Sequence, residues 1–126
     1  MRVGPLKLKA QLFCDGETAM GPGKADLLEA IDREGSISAA GRVLGMSYRR
    51  TWLLVDTMNR CWAERLVDTV RGGNSGNARL TPLGRDVLAT FRALEERLAA
   101  VAADDLATLA ALLRAHPLGT EEEVGE

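Results

Sequence analysis

Between Gly35 and Val55 the chain leaves room for little except two short helices packed across a tight turn. Ala39, Ala40 and Gly41 are small enough to let two backbones approach closely. Gly45 supplies a turn residue that carries no Cβ penalty. Val43, Leu44, Met46, Thr51 and Val55 are then available to fill the space between the helices. Ser36 or Ser38 can cap the first helix, expected from Ser38 to Leu44, and Ser47 the second, expected to run to about Asn59. A pair built this way is a helix-turn-helix unit.

The flanking sequence extends the pattern. Leu6, Leu8, Ala10 and Leu12 alternate with Lys7, Lys9 and Gln11, the period of a half-buried strand. Asp15-Gly16 marks a turn, and Glu17 to Met20 reads as a short returning strand. After the Gly21-Pro22-Gly23 break, Lys24 to Arg33 predicts a helix with an apolar stripe of Leu27, Leu28 and Ile31. Gly35 stands at its C-terminal cap. Leu66 to Val70 and Ala78 to Leu80 predict a hairpin around the glycine-rich loop from Arg71 to Asn77. Thr81 as cap and Pro82 at the first helical position open a long last helix.

In that helix Val87, Phe91, Leu94, Leu98 and Val101 recur at alternating spacings of four and three. This is the narrow seam of a coiled coil rather than the wider stripe of a helix lying on a core. Left bare, such a strip would be unusual on a monomer, and a two-fold partner covers it. Leu106, Leu109, Leu112 and Leu113 extend this helix or form a short further one. The expected class is mostly α with a small β component. The expected organisation is a winged helix-turn-helix at 1–81, a C-terminal dimerisation region at 82–115 and an acidic, disordered tail at 116–126.

Charge points to function. The net −2 conceals a segregation: residues 36–80 carry seven arginines against three acids, between two acidic flanks. An all-arginine middle suggests contact with a polyanion there. The second helix of a helix-turn-helix places its N-terminal residues at base edges in the major groove. Here those are Ser47, Tyr48, Arg49 and Arg50, with Leu53 one turn on. Arginine grips guanine bidentately, hydroxyls take phosphates or bases, and the helix N-terminus attracts phosphate. The candidate DNA contacts are Ser38, Ser47, Tyr48, Arg49 and Arg50 from the helices, with Arg71, Asn74, Ser75, Asn77 and Arg79 from the hairpin. Trp52 is expected to pack beneath the second helix. Arg65 serves the same face or pairs with Glu64 or Asp68.

At these residues the chain resembles the DNA-binding region of the molybdenum-dependent ModE regulators, related to the LysR-type winged helix. The resemblance rests on Gly35-Ser36-Ile37-Ser38, on Ser47-Tyr48, Trp52, Val55 and Met58-Asn59, on the glycines of 72–76, and on Leu80-Thr81 with Gly84. It covers roughly residues 5–103. It implies duplex DNA as partner, read by the third helix and the wing, and a homodimer held by the last helix and the N-terminal strand. The stretch after Ala103 is too short for the family's molybdate-binding barrels, so molybdate is expected to act only in trans or weakly.

Other classes find less support. No run reaches the ~20 apolar residues of a membrane span. The N-terminus lacks the apolar core of a secretory signal. Cys14, Cys61 and the single His116 form no metal-ligand pattern, which suggests a reducing cytoplasm, no structural metal and no cofactor. No Ser-His-Asp or Cys-His set is available for catalysis. Asp104-Asp105 read as a helix cap, and Asp26 and Glu29 as a solvated face. The loop 72–76 lacks the lysine and helix of a phosphate-cradling P-loop. Two alternatives stay open: a winged-helix adaptor that dimerises without binding DNA, and an oxyanion-responsive regulator using the C-terminal segment.

Overall fold

The computed structural model describes residues 2–3, 5–69 and 77–120. Its elements, in chain order, are β1 (Arg2–Val3), β2 (Leu6–Lys7), β3 (Leu12–Cys14), β4 (Glu17–Met20), α1 (Pro22–Glu34), α2 (Ile37–Val43), α3 (Tyr48–Cys61), β5 (Val67–Thr69), β6 (Ala78–Leu80) and α4 (Pro82–Leu112). The strands form three antiparallel pairs, β1–β2, β3–β4 and β5–β6. This is the mostly α architecture expected, with small β elements and a long last helix.

Local chemistry sets most helix ends. Ser36 Oγ accepts from Ala39 N at 3.1 Å, so Ser36 rather than Ser38 caps α2. Ser47 Oγ accepts from Arg50 N at 3.1 Å, and Thr81 Oγ1 from Gly84 N at 2.9 Å. Gly35 ends α1 in the left-handed region, with φ 72°. Gly45 does the same in the α2–α3 turn, with φ 73°. Gly41 meets a different demand: a Cβ there would land on the buried Thr51 side chain, so its absence lets α2 and α3 cross.

The core gathers Met20 of β4, Leu27, Leu28 and Ile31 of α1, Ile37 of α2, Met58 of α3, and Leu66 and Val67, all fully buried. Asn59, half-buried near the end of α3, ties that helix to β5. Its Oδ1 accepts from Leu66 N at 2.9 Å and Val67 N at 3.0 Å, and its Nδ2 donates to Val67 O at 3.1 Å. The third strand pair, β5–β6, docks beside the start of α2 through the Ser36–Asn77 bridge and the bond from Ala78 N to Gly35 O at 2.9 Å.

Three expectations change. The run Leu6–Leu12 is not one strand: β2 pairs with β1 and β3 with β4, so the ladder breaks where the partner changes. Asp104 and Asp105 lie inside α4, which continues unbroken through the leucine-rich stretch to Leu112. Asp26 and Glu29 are not merely solvated. They grip Arg92 at 2.7 and 2.6 Å and, with the Arg85–Asp32 pair at 3.0 Å, clamp α4 to α1. The wing loop and the acids at 121–123 lie outside the described residues.

The seam on α4 divides. Phe91 is only 3% exposed and belongs to the core of its own chain, where it forms part of the wall of an apolar groove. Val87 and Leu94 are half-buried against that core. With Leu12, Trp62 and Leu83 they also line this groove, of about 370 Å³. Leu98 is half-buried and Val101 is 83% exposed. The first half of a coiled-coil-like stripe thus serves tertiary packing.

Candidate nucleic-acid interface

The first turn of α3 projects from the α2–α3 turn into solvent. Tyr48 is 68% exposed, and Arg49, Arg50 and Leu53 are also exposed. Ser47 uses its oxygen as the helix cap, so its hydroxyl proton remains available to an external acceptor. Thr51, fully buried one residue beyond this face, donates to Ser47 O at 2.8 Å and fixes the turn. Trp52 is half-buried against the core, as expected, and its ring meets Tyr48 edge-on with centroids 6.0 Å apart. That contact braces one edge of a tyrosine that is otherwise largely exposed.

Pairing sorts the central arginines into two groups. Arg60 makes a bidentate contact to Glu17 at 2.8 and 2.9 Å and a further bond to Asp56 at 2.9 Å. These bonds hold the Glu17 carboxyl below its usual range. Arg65 lies 3.7 Å from Asp68, the intramolecular alternative of its two expected roles. Arg42, Arg49, Arg50 and Arg79 have no acidic partner among the described residues, and all four are exposed. Cations without local partners are free to meet an external polyanion.

The other candidates are placed as follows. Ser38 sits within the first turn of α2 and is half-buried. Asn77 is half-buried at the bridge to Ser36, and Arg79 projects from the middle of β6. Arg71, Asn74 and Ser75 lie outside the described residues.

Comparison with known proteins gives this geometry a lineage. The chain is 44% identical over 88 residues to a molybdenum transport protein, ModE, of Azotobacter vinelandii, covering 69% of the chain and 33% of the relative. It is 38% identical over 96 residues to a molybdenum-pterin-binding protein, MopA, of Rhodobacter capsulatus, covering 75% and 36%. It is 33% identical over 92 residues to a DNA-binding transcriptional dual regulator, ModE, of Escherichia coli K12, covering 72% and 33%. It is a ModE-like domain.

The ModE-like domain spans about a third of the length of these curated relatives. No protein-family model matches the chain. The relatives' names are those of regulators and of molybdenum-handling proteins, none of them an enzyme. No helix of the described residues is long and apolar enough to cross a membrane.

Sequence reasoning missed one part of the basic surface of this ModE-like domain. Lys7, Lys9 and Lys24 share a cleft with Arg50. The signal was present in the lysines of the alternating N-terminal run and in the lysine just after the Gly-Pro-Gly break. Nothing local indicated that they meet.

Proposed function

We propose that this chain is a sequence-specific duplex-DNA-binding transcriptional regulator that acts as a homodimer on an inverted repeat. One observation carries the reading. The exposed N-terminal turn of α3 presents Ser47, Tyr48, Arg49 and Arg50, and neither arginine has an acidic partner among the described residues. The relative named as a DNA-binding dual regulator supports the same reading. Arg49 and Arg50 contact base edges or flanking phosphates, the Ser47 and Tyr48 hydroxyls anchor the backbone, and Ser38 and Asn77 with Arg79 and the wing residues Arg71, Asn74 and Ser75 hold the neighbouring strand.

In this reading residues 1–81 bind DNA and 82–115 dimerise. A second copy covers the groove beside Val87 and Leu94 and continues along Leu98 and Val101. The two-fold axis then sets two recognition helices about one DNA turn, or a multiple, apart. The protein works in the cytoplasm without catalysis or a cofactor. Molybdenum, carried in the relatives' names, enters only as a signal acting in trans.

The test is selection of bound genomic fragments followed by mobility shifts on the enriched site. The expected outcome is an inverted repeat, with Arg49→Ala or Arg50→Ala losing about 1–3 kcal/mol of affinity. Unchanged affinity in both variants would remove α3 from the interface.

A further inference from the structure

A second basic feature lies beside the recognition helix. A cleft of about 360 Å³ opens between the N-terminal segment, the start of α1 and the start of α3. Lys7, Lys9, Lys24 and Arg50 contribute to its walls. The segment carrying Lys7 and Lys9 lies close against α1, since a Cβ on Gly21 would come within 3.5 Å of the Gln11 side chain. The cleft is therefore a place where three separate elements bring cations together, and not one lysine-rich stretch.

Internal compensation in the cleft is partial: the Glu17 carboxylate acts on the Lys24 charge but is itself held by Arg60. The carboxylate of Asp26 on its wall is committed to Arg92 at 2.7 Å. The start of α1 has no side-chain cap and no acid in its first turn. Pro22 brings no N–H, which leaves the amides of Gly23 and Lys24 as the free donors there. Burial, and next the Arg50 charge, hold the Lys24 ammonium below its usual range. A half-buried lysine facing an arginine and two further lysines is costly to keep charged unless an anion joins them.

We propose that this cleft is a phosphate seat, formed by Lys24 and Lys9 with help from Lys7 and Arg50, that takes one phosphate group beside the groove read by α3. The group is a backbone phosphodiester of bound DNA or free inorganic phosphate; both offer the same oxyanion to the same donors. For DNA the proposal rests on the reading of α3 given above. It adds a contact from α1 and the N-terminal segment, so the footprint reaches past the helix-turn-helix and the wing.

The experiment uses the full chain and the variants Lys9→Gln, Lys24→Gln and Lys24→Arg, each checked for an unchanged thermal melt without phosphate. DNA affinity is measured across a salt series on the selected site and on an unrelated duplex. Separately, melting is followed in inorganic phosphate against chloride of equal ionic strength. If the seat holds DNA, each Gln variant binds both duplexes several-fold more weakly. The log–log salt slope then falls by about one for the lost contact, and Lys24→Arg restores it. If it holds the free ion, phosphate raises the wild-type melting temperature beyond chloride and the Gln variants lose that gain. Neither effect, in variants that fold normally, overturns the seat. Failure of the wild type to bind any duplex sinks the DNA reading, and the phosphate arm then decides the cleft alone.

Discussion

Asn59 shows how much one half-buried polar side chain can organise. Its amide satisfies two backbone donors and one acceptor of the strand that follows α3. Truncation leaves those groups without partners, so Asn59→Ala is expected to cost about 1–3 kcal/mol, read as a lower midpoint in urea denaturation. The Arg92 cluster makes a second residue-scale prediction. Its hydrogen bond to Glu29 holds that carboxyl below the usual range, against a smaller opposing effect of burial. The folded pKa lies under the unfolded one, so the stabilisation is complete above the unfolded value of about 4.3 and is lost as pH falls through the folded value. Melting temperature should therefore drop on acidification below that point, and Glu29→Gln should flatten the drop. An identical profile in the variant would show that the pair contributes nothing. Motif residues such as Asn59 were visible in the sequence, but their bonding was not, since their partners follow seven and eight positions later in a separate element.

At the scale of elements, the α2–α3 pair was the most legible part of the chain. Each of its caps bonds an amide only three residues on, and its small residues and turn glycine all lie between the two caps. Gly41 is the tightest point. Adding one methyl presses on Thr51, whose hydroxyl already donates to Ser47 O, so the helices must separate or Thr51 must leave its rotamer. Gly41→Ala is expected to destabilise the fold by about 1–3 kcal/mol and to weaken DNA binding with it. A combined Gly41→Ala, Thr51→Ala variant, which removes the hydroxyl and methyl that the new Cβ would meet, should lose less than the two single changes added together; a Gly41→Ala protein as stable as the wild type would refute the close approach. The N-terminal strand was less legible. Alternation correctly marked an extended segment, but it did not reveal that the segment exchanges one partner strand for another midway.

At the scale of the whole molecule, charge and apolar surface are divided between ends and faces. Acids of α1 and β4 occupy Arg92, Arg85 and Arg60, which builds the scaffold, while Arg49 and Arg50 are left for a partner. If a second copy covers the apolar groove and the exposed stretch of α4, Leu98→Glu with Val101→Glu should convert a dimer to a monomer in sedimentation equilibrium. The same variant should retain the fold and lose most affinity for the inverted repeat, because one half-site supplies only half the contacts. A wild type that sediments as a monomer at the concentrations used for binding would remove the two-fold axis from the proposal.

The sequence by itself determined the caps at Ser47 and Thr81, the glycine that ends α1, the close crossing of α2 and α3, and a row of polar and cationic residues at the start of α3. These follow from capping, side-chain size and periodicity, which operate over a turn or two of backbone. Tertiary structure decided which arginines are already neutralised, since Arg60 meets Glu17 from 43 positions away and Arg92 meets Glu29 from 63. It also decided that Phe91 packs inward and that Lys9, Lys24 and Arg50 share a cleft. Contacts of that range depend on how finished elements dock, and no local pattern of residue types encodes them.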